Sequence, residues 1–296
     1  MFQGSMVQTT IPVSLGPLQG RSPGLGKVFF VGGSGASDDN EGTDPQHPLS
    51  KIATALALCT NGMHDHIFVQ DYWANDTFPI VVDKQCARII GLGAGNPMGI
   101  WCLMNCGAAA AFSIGTAGYT EIAGFSMIAN SSFPGIVITA AAVECKSHIH
   151  HNAFGEHGVA QDGILATATS AEFNQCLVEH NIFGHQLTRD GVRVGRPTWS
   201  WFINNLFRGY GGVGIYIVGD FGGQLGGIIG NKFYQDAEFA EGGAITLSKA
   251  ANGMIDDNHA MEDGANPGNN PFLDTSSPIN AWGLNYSGIV ATYPAT

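Results

Sequence analysis

The sequence predicts an all-β protein built as one single-stranded right-handed parallel β-helix, a solenoid of similar coils with a short N-terminal capping helix. Three observations predict it: a motif repeated without gaps in five places, a glycine that opens an alternating apolar strand some way after most copies, and a composition rich in glycine and poor in charge.

The motif is apolar-x-x-Asn-x-Phe. Its copies are Ile149-His150-His151-Asn152-Ala153-Phe154, Val178-Glu179-His180-Asn181-Ile182-Phe183, Phe202-Ile203-Asn204-Asn205-Leu206-Phe207, Ile228-Ile229-Gly230-Asn231-Lys232-Phe233 and Ile255-Asp256-Asp257-Asn258-His259-Ala260. Only Ala260 departs from the last place. The asparagines lie 29, 24, 26 and 27 residues apart, which suits one solenoid coil of three short strands, whereas a propeller blade needs a period nearer about 40. The second signal is Gly163-Ile164-Leu165, Gly191-Val192-Arg193-Val194, Gly214-Ile215-Tyr216-Ile217 and Gly243-Ala244-Ile245-Thr246-Leu247. A weaker coil holds Phe125-Ser126-Met127-Ile128-Ala129-Asn130 and then Gly135-Ile136-Val137-Ile138, so the repeat covers roughly residues 118 to 260.

Asparagine suits a tight bend because it tolerates left-handed backbone, and its amide both donates and accepts. With coils spaced by about 4.8 Å, Asn152, Asn181, Asn205, Asn231 and Asn258 should form a continuous amide ladder inside the turn. Phe154, Phe183, Phe207 and Phe233, two residues further on, return to the same face and should stack in the core.

An open solenoid end exposes unpaired backbone and needs a cover. Residues 48–59 supply it: Leu49, Ile52, Ala53 and Leu56 recur at helical spacing, and Pro48 suits a helix start. The strand His66-Ile67-Phe68-Val69-Gln70 then begins the coils. Three regions follow: an extended N-terminal arm over 1–26, the β-helix over 27–261, and an irregular C-terminal arm over 262–296, rich in Asn, Pro and Gly.

Charged residues make up 12% of the chain and glycine contributes 42 residues, about half and about double the usual shares. A net charge of -12 with only 12 Lys+Arg argues against a broad phosphate-binding face and hence against nucleic acid as a partner. No basic segment followed by an apolar one opens the chain and no apolar run is long enough for a bilayer, so neither export by an ordinary signal nor a membrane partner is expected. The six cysteines (Cys59, Cys86, Cys102, Cys106, Cys145, Cys176) show no zinc-type spacing and read as reduced, mostly buried thiols.

A family resemblance rests on the stretch before the repeat. Val28-Phe29-Phe30-Val31, then Gly33-Ser34-Gly35-Ala36-Ser37-Asp38-Asp39-Asn40-Glu41-Gly42-Thr43-Asp44-Pro45, then Pro48-Leu49 through Ala55-Leu56, then Asp65-His66-Ile67-Phe68-Val69, resembles the opening segment of pectate-lyase-like right-handed β-helix proteins. There a strand, an Asp/Asn/Gly-rich turn, a capping helix and a first coil strand come in this order. The resemblance spans nearly the whole chain and is specific for fold. It implies either a polysaccharide lyase or hydrolase, or a phage tailspike or virion surface protein without catalysis.

Several residues are candidates for chemistry. Asp162 and Asp190 both precede a Gly-apolar strand and should stack on neighbouring coils about 5 Å apart, a distance suited to a retaining glycosidase pair; Asp-Gly is also an ordinary turn signal, and Val213 stands at the next corresponding place. Asp220, Asp236, Glu238 and Glu241 are acidic, but no calcium loop surrounds them. His148, His150, His151, Glu179 and His180 form the densest polar cluster. Aligned coils set His151 beside His180 and His150 beside Glu179, within reach of a transition metal or acid-base work. The matching later positions are Ile203, Asn204, Ile229 and Gly230, which favours a solvated or interface-facing patch at a variable turn. A lyase would need a cation over its carboxylates, yet Arg189, Arg193, Arg196 and Arg208 complete no evident triad. Gly32-Gly33-Ser34-Gly35 lacks the lysine of a phosphate loop.

On balance no catalytic or metal residue is assigned and no cofactor is expected. The leading expectation is a structural virion protein of a tailed phage, a capsid decoration or other surface component. It would associate as a homotrimer through its β-helix and grip other virion proteins with its arms. The alternative is a tailspike-type polysaccharide lyase or glycoside hydrolase, with glycan as partner and Trp73, Trp101, Trp199, Trp201 and Tyr210 as stacking surfaces. Carboxylates and aromatics converging on one exposed face would favour the enzyme, and a flat apolar face the scaffold.

Overall fold

The computed structural model describes residues 26–71, 76–93, 102–115, 117–139, 145–166, 173–218, 225–235, 243–248, 252–262, 271–275, 280–287 and 290–292. Their strands form three sheets of ten, nine and eight members. In each sheet, neighbours come from successive coils and pair in parallel. An antiparallel pair, Asn285–Ser287 with Val290–Thr292, closes one sheet. The chain is a right-handed parallel β-helix, all-β but for one short helix among the described residues.

Short alternating segments make this fold because a strand turns successive side chains to opposite faces. Ile164–Ala166, Val192–Val194, Ile215–Ile217 and Ile245–Leu247 each bury their first and third residues and turn the middle one outward. The inward residues merge into one apolar core running the length of the solenoid.

At one corner the asparagine amides bond in series. Asn152 Nδ2 donates to Asn181 Oδ1 at 3.2 Å, and the links Asn181 to Asn205, Asn205 to Asn231 and Asn231 to Asn258 each measure 3.0 Å. A sixth member, Asn285, accepts from Asn258 at 2.9 Å. Each acceptor oxygen also takes the backbone N–H of the asparagine one coil before, at 2.9–3.1 Å. Each amide nitrogen reaches a carbonyl of the preceding coil, as Asn205 does to Val178 at 2.9 Å. From Asn152 to Asn258 every ladder asparagine's N–H and side-chain amide thus finds its partner inside this dry corner.

The left-handed residue at the bend is not the asparagine. It is the one before it: His151, His180, Asn204, Gly230 and Asp257, with φ of 52°, 53°, 52°, 67° and 53°. The asparagine owes its place to hydrogen-bonding capacity, and conformational tolerance matters one position earlier. The register of the weaker coil follows: Ser126 pairs with Ala153 and Met127 with Phe154. Phe125 therefore occupies the ladder position, its N–H capping Asn152 Oδ1 at 3.1 Å, and Asn130 lies outside the ladder.

The phenylalanines stack beside the ladder. Centroid separations are 5.0 Å for Phe154 and Phe183, 4.5 Å for Phe183 and Phe207, and 4.6 Å for Phe207 and Phe233, with planes within 13° of parallel. Each ring lies on the glycine that opens the strand one coil earlier. A Cβ built on Gly135, Gly163, Gly191 or Gly214 would stand 2.5 Å from an edge carbon of Phe154, Phe183, Phe207 or Phe233. Thus the two repeated signals are halves of one contact. Where Ala260 replaces the ring, the preceding Gly243 has nothing nearer than 3.3 Å.

The helix runs Ile52–Leu58, inside the expected 48–59, and lays Ile52, Ala55 and Leu56 over the first coils. Pro48 does not begin it. Leu49 instead bridges Val31 as extended chain, and the helix start is capped from a distance: Asp76 accepts the N–H groups of Ile52 at 2.8 Å and Ala53 at 2.9 Å. At the other end the coils continue past 261. Phe272–Asp274, Ala281–Trp282 and Asn285–Ser287 join the eight-, ten- and nine-stranded sheets, where an irregular arm was expected. Residues 1–25 of the N-terminal arm lie outside the described residues.

None of the six cysteines is joined in a disulfide, and five are buried. Burial pushes the thiols of Cys59 and Cys106 up to about 12. Among the described residues no helix is long and apolar enough to cross a membrane.

Candidate functional site

The outward face of the ten-stranded sheet carries two rows of side chains, set by strand register. One row reads His66, Arg88, Glu121, His148, Leu177, Trp201, Gly227 and Met254. The other reads Phe68, Ile90, Ala123, His150, Glu179, Ile203, Ile229 and Asp256 along the same strands. Three adjacent coils therefore place Glu121, His148, His150 and Glu179 together, with Arg88 on the coil before and Trp201 and Ile203 on the coil after.

His148 and His150 both belong to the strand His148–His150, with Ile149 pointing inward between them. Their rings stack at 4.0 Å. His150 Nε2 meets Glu121 Oε1 at 2.9 Å, and His148 Nε2 meets Glu179 Oε1 at 2.9 Å. Behind them, His151 Nδ1 lies 2.8 Å from His150 Nδ1, so the one holding hydrogen donates to the other. Arg88 Nε stands 3.5 Å from the second oxygen of Glu121. His180 packs its ring 5.3 Å from that of His151 and its Nε2 3.9 Å from Glu179.

The alignment of coils thus brings the five expected residues together but mispairs two of them. His150 and Glu179 are register partners, yet their side chains turn apart, His150 to Glu121 on the coil before and His148 to Glu179 on the coil after. The cluster sits on a strand face, with only His151 and His180 at the turn. Glu121 was missed because it lies upstream of the first full motif, in a coil with Gly124 at the bend. The bond from His150 holds the Glu121 carboxyl below its usual range, and burial together with neighbouring imidazoles lowers His148 and His151.

The other candidates separate. Asp162 and Asp190 do stack, with the Asp190 N–H donating to Asp162 Oδ1 at 3.2 Å, but both are buried and committed. Arg189 grips Asp162 through two nitrogens, with Nε at 2.8 Å, while Arg193 holds Asp190 at 2.7 Å and the Val213 N–H donates to it at 2.7 Å. Burial pushes the Asp162 carboxyl upward more strongly than Arg189 pulls it down. This pair therefore holds a turn together and offers no exposed nucleophile. Arg208 pairs with Glu156, and Arg196 is half-buried.

Tyr210 is fully buried, edge-on to Phe207 at 6.2 Å, which removes it as a sugar-stacking surface. Trp199 is exposed at a left-handed turn and Trp201 lies on the ten-stranded face. Trp73, Trp101, Asp220, Asp236, Glu238 and Glu241 lie outside the described residues.

A scan of the chain against protein-family models finds no match, and a search of curated proteins finds none either.

Proposed function

We propose that the chain is a structural component of a virion surface, a pectate-lyase-like β-helix of a tailed phage that associates side by side with copies of itself as a trimer. The observation that carries this reading is the outward row of the eight-stranded sheet: Val81, Ser113, Val137, Leu165, Arg193, Tyr216, Thr246 and Leu273, in continuous register. Arg193 is the single charge in it, and that charge is neutralised by Asp190 and covered by the Tyr216 ring at 4.7 Å. A strip of this kind, whose one charge is already paired, loses little on leaving water and suits a second copy of the same surface better than a polar ligand. The terminal segments, poor in charge, are the parts assigned to neighbouring virion proteins.

The tailspike-type lyase or glycosidase reading loses its main support with Asp162 and Asp190 locked inside a turn. An open hollow of about 700 Å³ lined by Asn204, Leu206, Arg208, Lys232 and Tyr234 keeps glycan contact as a second reading, though without a paired carboxylate.

The test is the mass of the full-length protein in solution, for wild type and for Leu165→Glu and Tyr216→Glu. A trimer that falls to monomer in both variants, each still folded by circular dichroism, supports the reading, and particle imaging with labelled antibody then locates the protein. A wild-type monomer that depolymerises capsular glycan would overturn it.

A further inference from the structure

We infer that Glu121, His148 and His150 form a binding site for a divalent transition-metal ion of the zinc type, buttressed by Glu179, His151 and Arg88. One donor atom from each of the three ligands lies within 4.8 Å of the others. Two imidazole nitrogens and a carboxylate oxygen match the donor preferences of zinc, cobalt and nickel, and do not match calcium or magnesium, which take oxygen.

The fit follows from bond lengths. Zinc stands about 2.0–2.2 Å from nitrogen and oxygen donors, so tetrahedral ligands sit roughly 3.4 Å apart. His150 Nε2 and Glu121 Oε1, at 2.9 Å, are joined by a hydrogen that an ion would replace. Separations of up to 4.8 Å must close by as much as about 1.4 Å, a movement within reach of side-chain torsions where His148 stands open to solvent. The ligands come from one face of two adjacent strands, with Glu121 the register partner of His148, so side-chain torsions alone can turn His148 from Glu179 toward the other two.

The surrounding contacts are those that orient metal ligands. His150 uses Nδ1 on His151, which leaves Nε2 facing Glu121. Arg88 approaches the Glu121 oxygen that His150 does not use. Such outer partners commonly set metal affinity by about 10–100-fold. His150 and Glu121 are mostly covered, at 17% and 20% side-chain exposure, while His148 is open at 37%. The open side leaves a fourth position for Glu179 or water, and an ion there ties together the coils of Glu121, His148–His150 and Glu179.

The experiment uses tag-free, full-length protein stripped of metal with a chelator and titrated with Zn²⁺ by calorimetry. Co²⁺ is added in parallel and read by its visible absorption, which is intense for four-coordinate nitrogen and oxygen ligation. One equivalent should bind, with a rise in melting temperature of several degrees. His150→Ala and Glu121→Gln should each weaken binding at least tenfold, and His151→Ala should weaken it by about 10-fold through ligand orientation. His259→Ala, an exposed histidine paired with Asp257, should bind as wild type does. Should His150→Ala fail to fold, Glu121→Gln, which keeps shape and volume, carries the test. Absence of saturable binding, or equal binding by wild type and Glu121→Gln, overturns the inference, as does an anomalous-scattering peak for zinc elsewhere in crystals.

Discussion

The contact between each phenylalanine and the glycine one coil earlier is open to an internal comparison. At Gly191 an added methyl would stand 2.5 Å from Phe207 Cε1 and 2.7 Å from the Gly214 carbonyl oxygen, where unstrained contacts need about 3.5 Å or more. The ring cannot give way along the axis, because Phe183 and Phe233 stack on it at 4.5 and 4.6 Å. The carbonyl cannot move freely either, since it accepts from Val192 at 2.9 Å. Overpacking of this kind costs about 1–3 kcal/mol, and alanine returns about 0.4–1 kcal/mol by stiffening the unfolded chain. Gly191→Ala should therefore lose about 1.3 kcal/mol. At Gly243 the nearest atoms are Pro271 O at 3.3 Å and Thr246 Oγ1 at 3.4 Å, so Gly243→Ala should stay within about 0.5 kcal/mol of wild type. Urea unfolding of both variants measures the difference, and in a Phe207→Ala background Gly191→Ala should lose at least half its cost. Equal stabilities for Gly191→Ala and Gly243→Ala would refute the argument.

Two further outcomes follow from buried polar groups. Asn205→Ala removes four side-chain hydrogen bonds and strands the Asn181 N–H in a dry corner; the loss in urea unfolding should be about 3 kcal/mol, and less than about 1 kcal/mol would mean that water enters the corner. The Asp162 carboxyl is held above its ordinary 3.8, so between that value and the raised one the folded chain binds more protons than the unfolded chain, and stability falls as pH climbs through the window. Asp162→Asn is free of that term. It should match wild type near pH 4 and gain on it towards pH 7, and a relative loss with rising pH would show that the Arg189 attraction outweighs burial.

How much was legible in the sequence depended on whether a position is set by its own coil or by another. The ladder asparagines and stacked phenylalanines repeat because each coil meets a near copy of itself, so a gapless alignment finds them. Asn285 carried the same signal, with Trp282 three residues before it, but Ser287 stands where phenylalanine would mark the motif. The carboxylate cap from Asp76 onto the helix was invisible because its partner is 24 residues away in sequence, with no repeat to align. In the site, register placed His150 opposite Glu179 correctly. Which carboxylate the ring chooses is decided by side-chain torsions, and the competing Glu121 sits in a coil without the motif. The carboxylate pair misled for the reverse reason: sequence spacing foretold the stacking of Asp162 on Asp190, but not that Arg189 and Arg193 would close over them.

Apart from the one antiparallel pair, the described strands pair only between successive coils, and this has a mechanical consequence. A tether pulled on the stack peels one winding at a time, because among the described residues each parallel strand pair joins neighbouring windings. Windings of 24 to 29 residues each release roughly 80–100 Å of slack. Force-extension traces should show a train of similar small steps, and a shaft built this way yields gradually under load instead of snapping open.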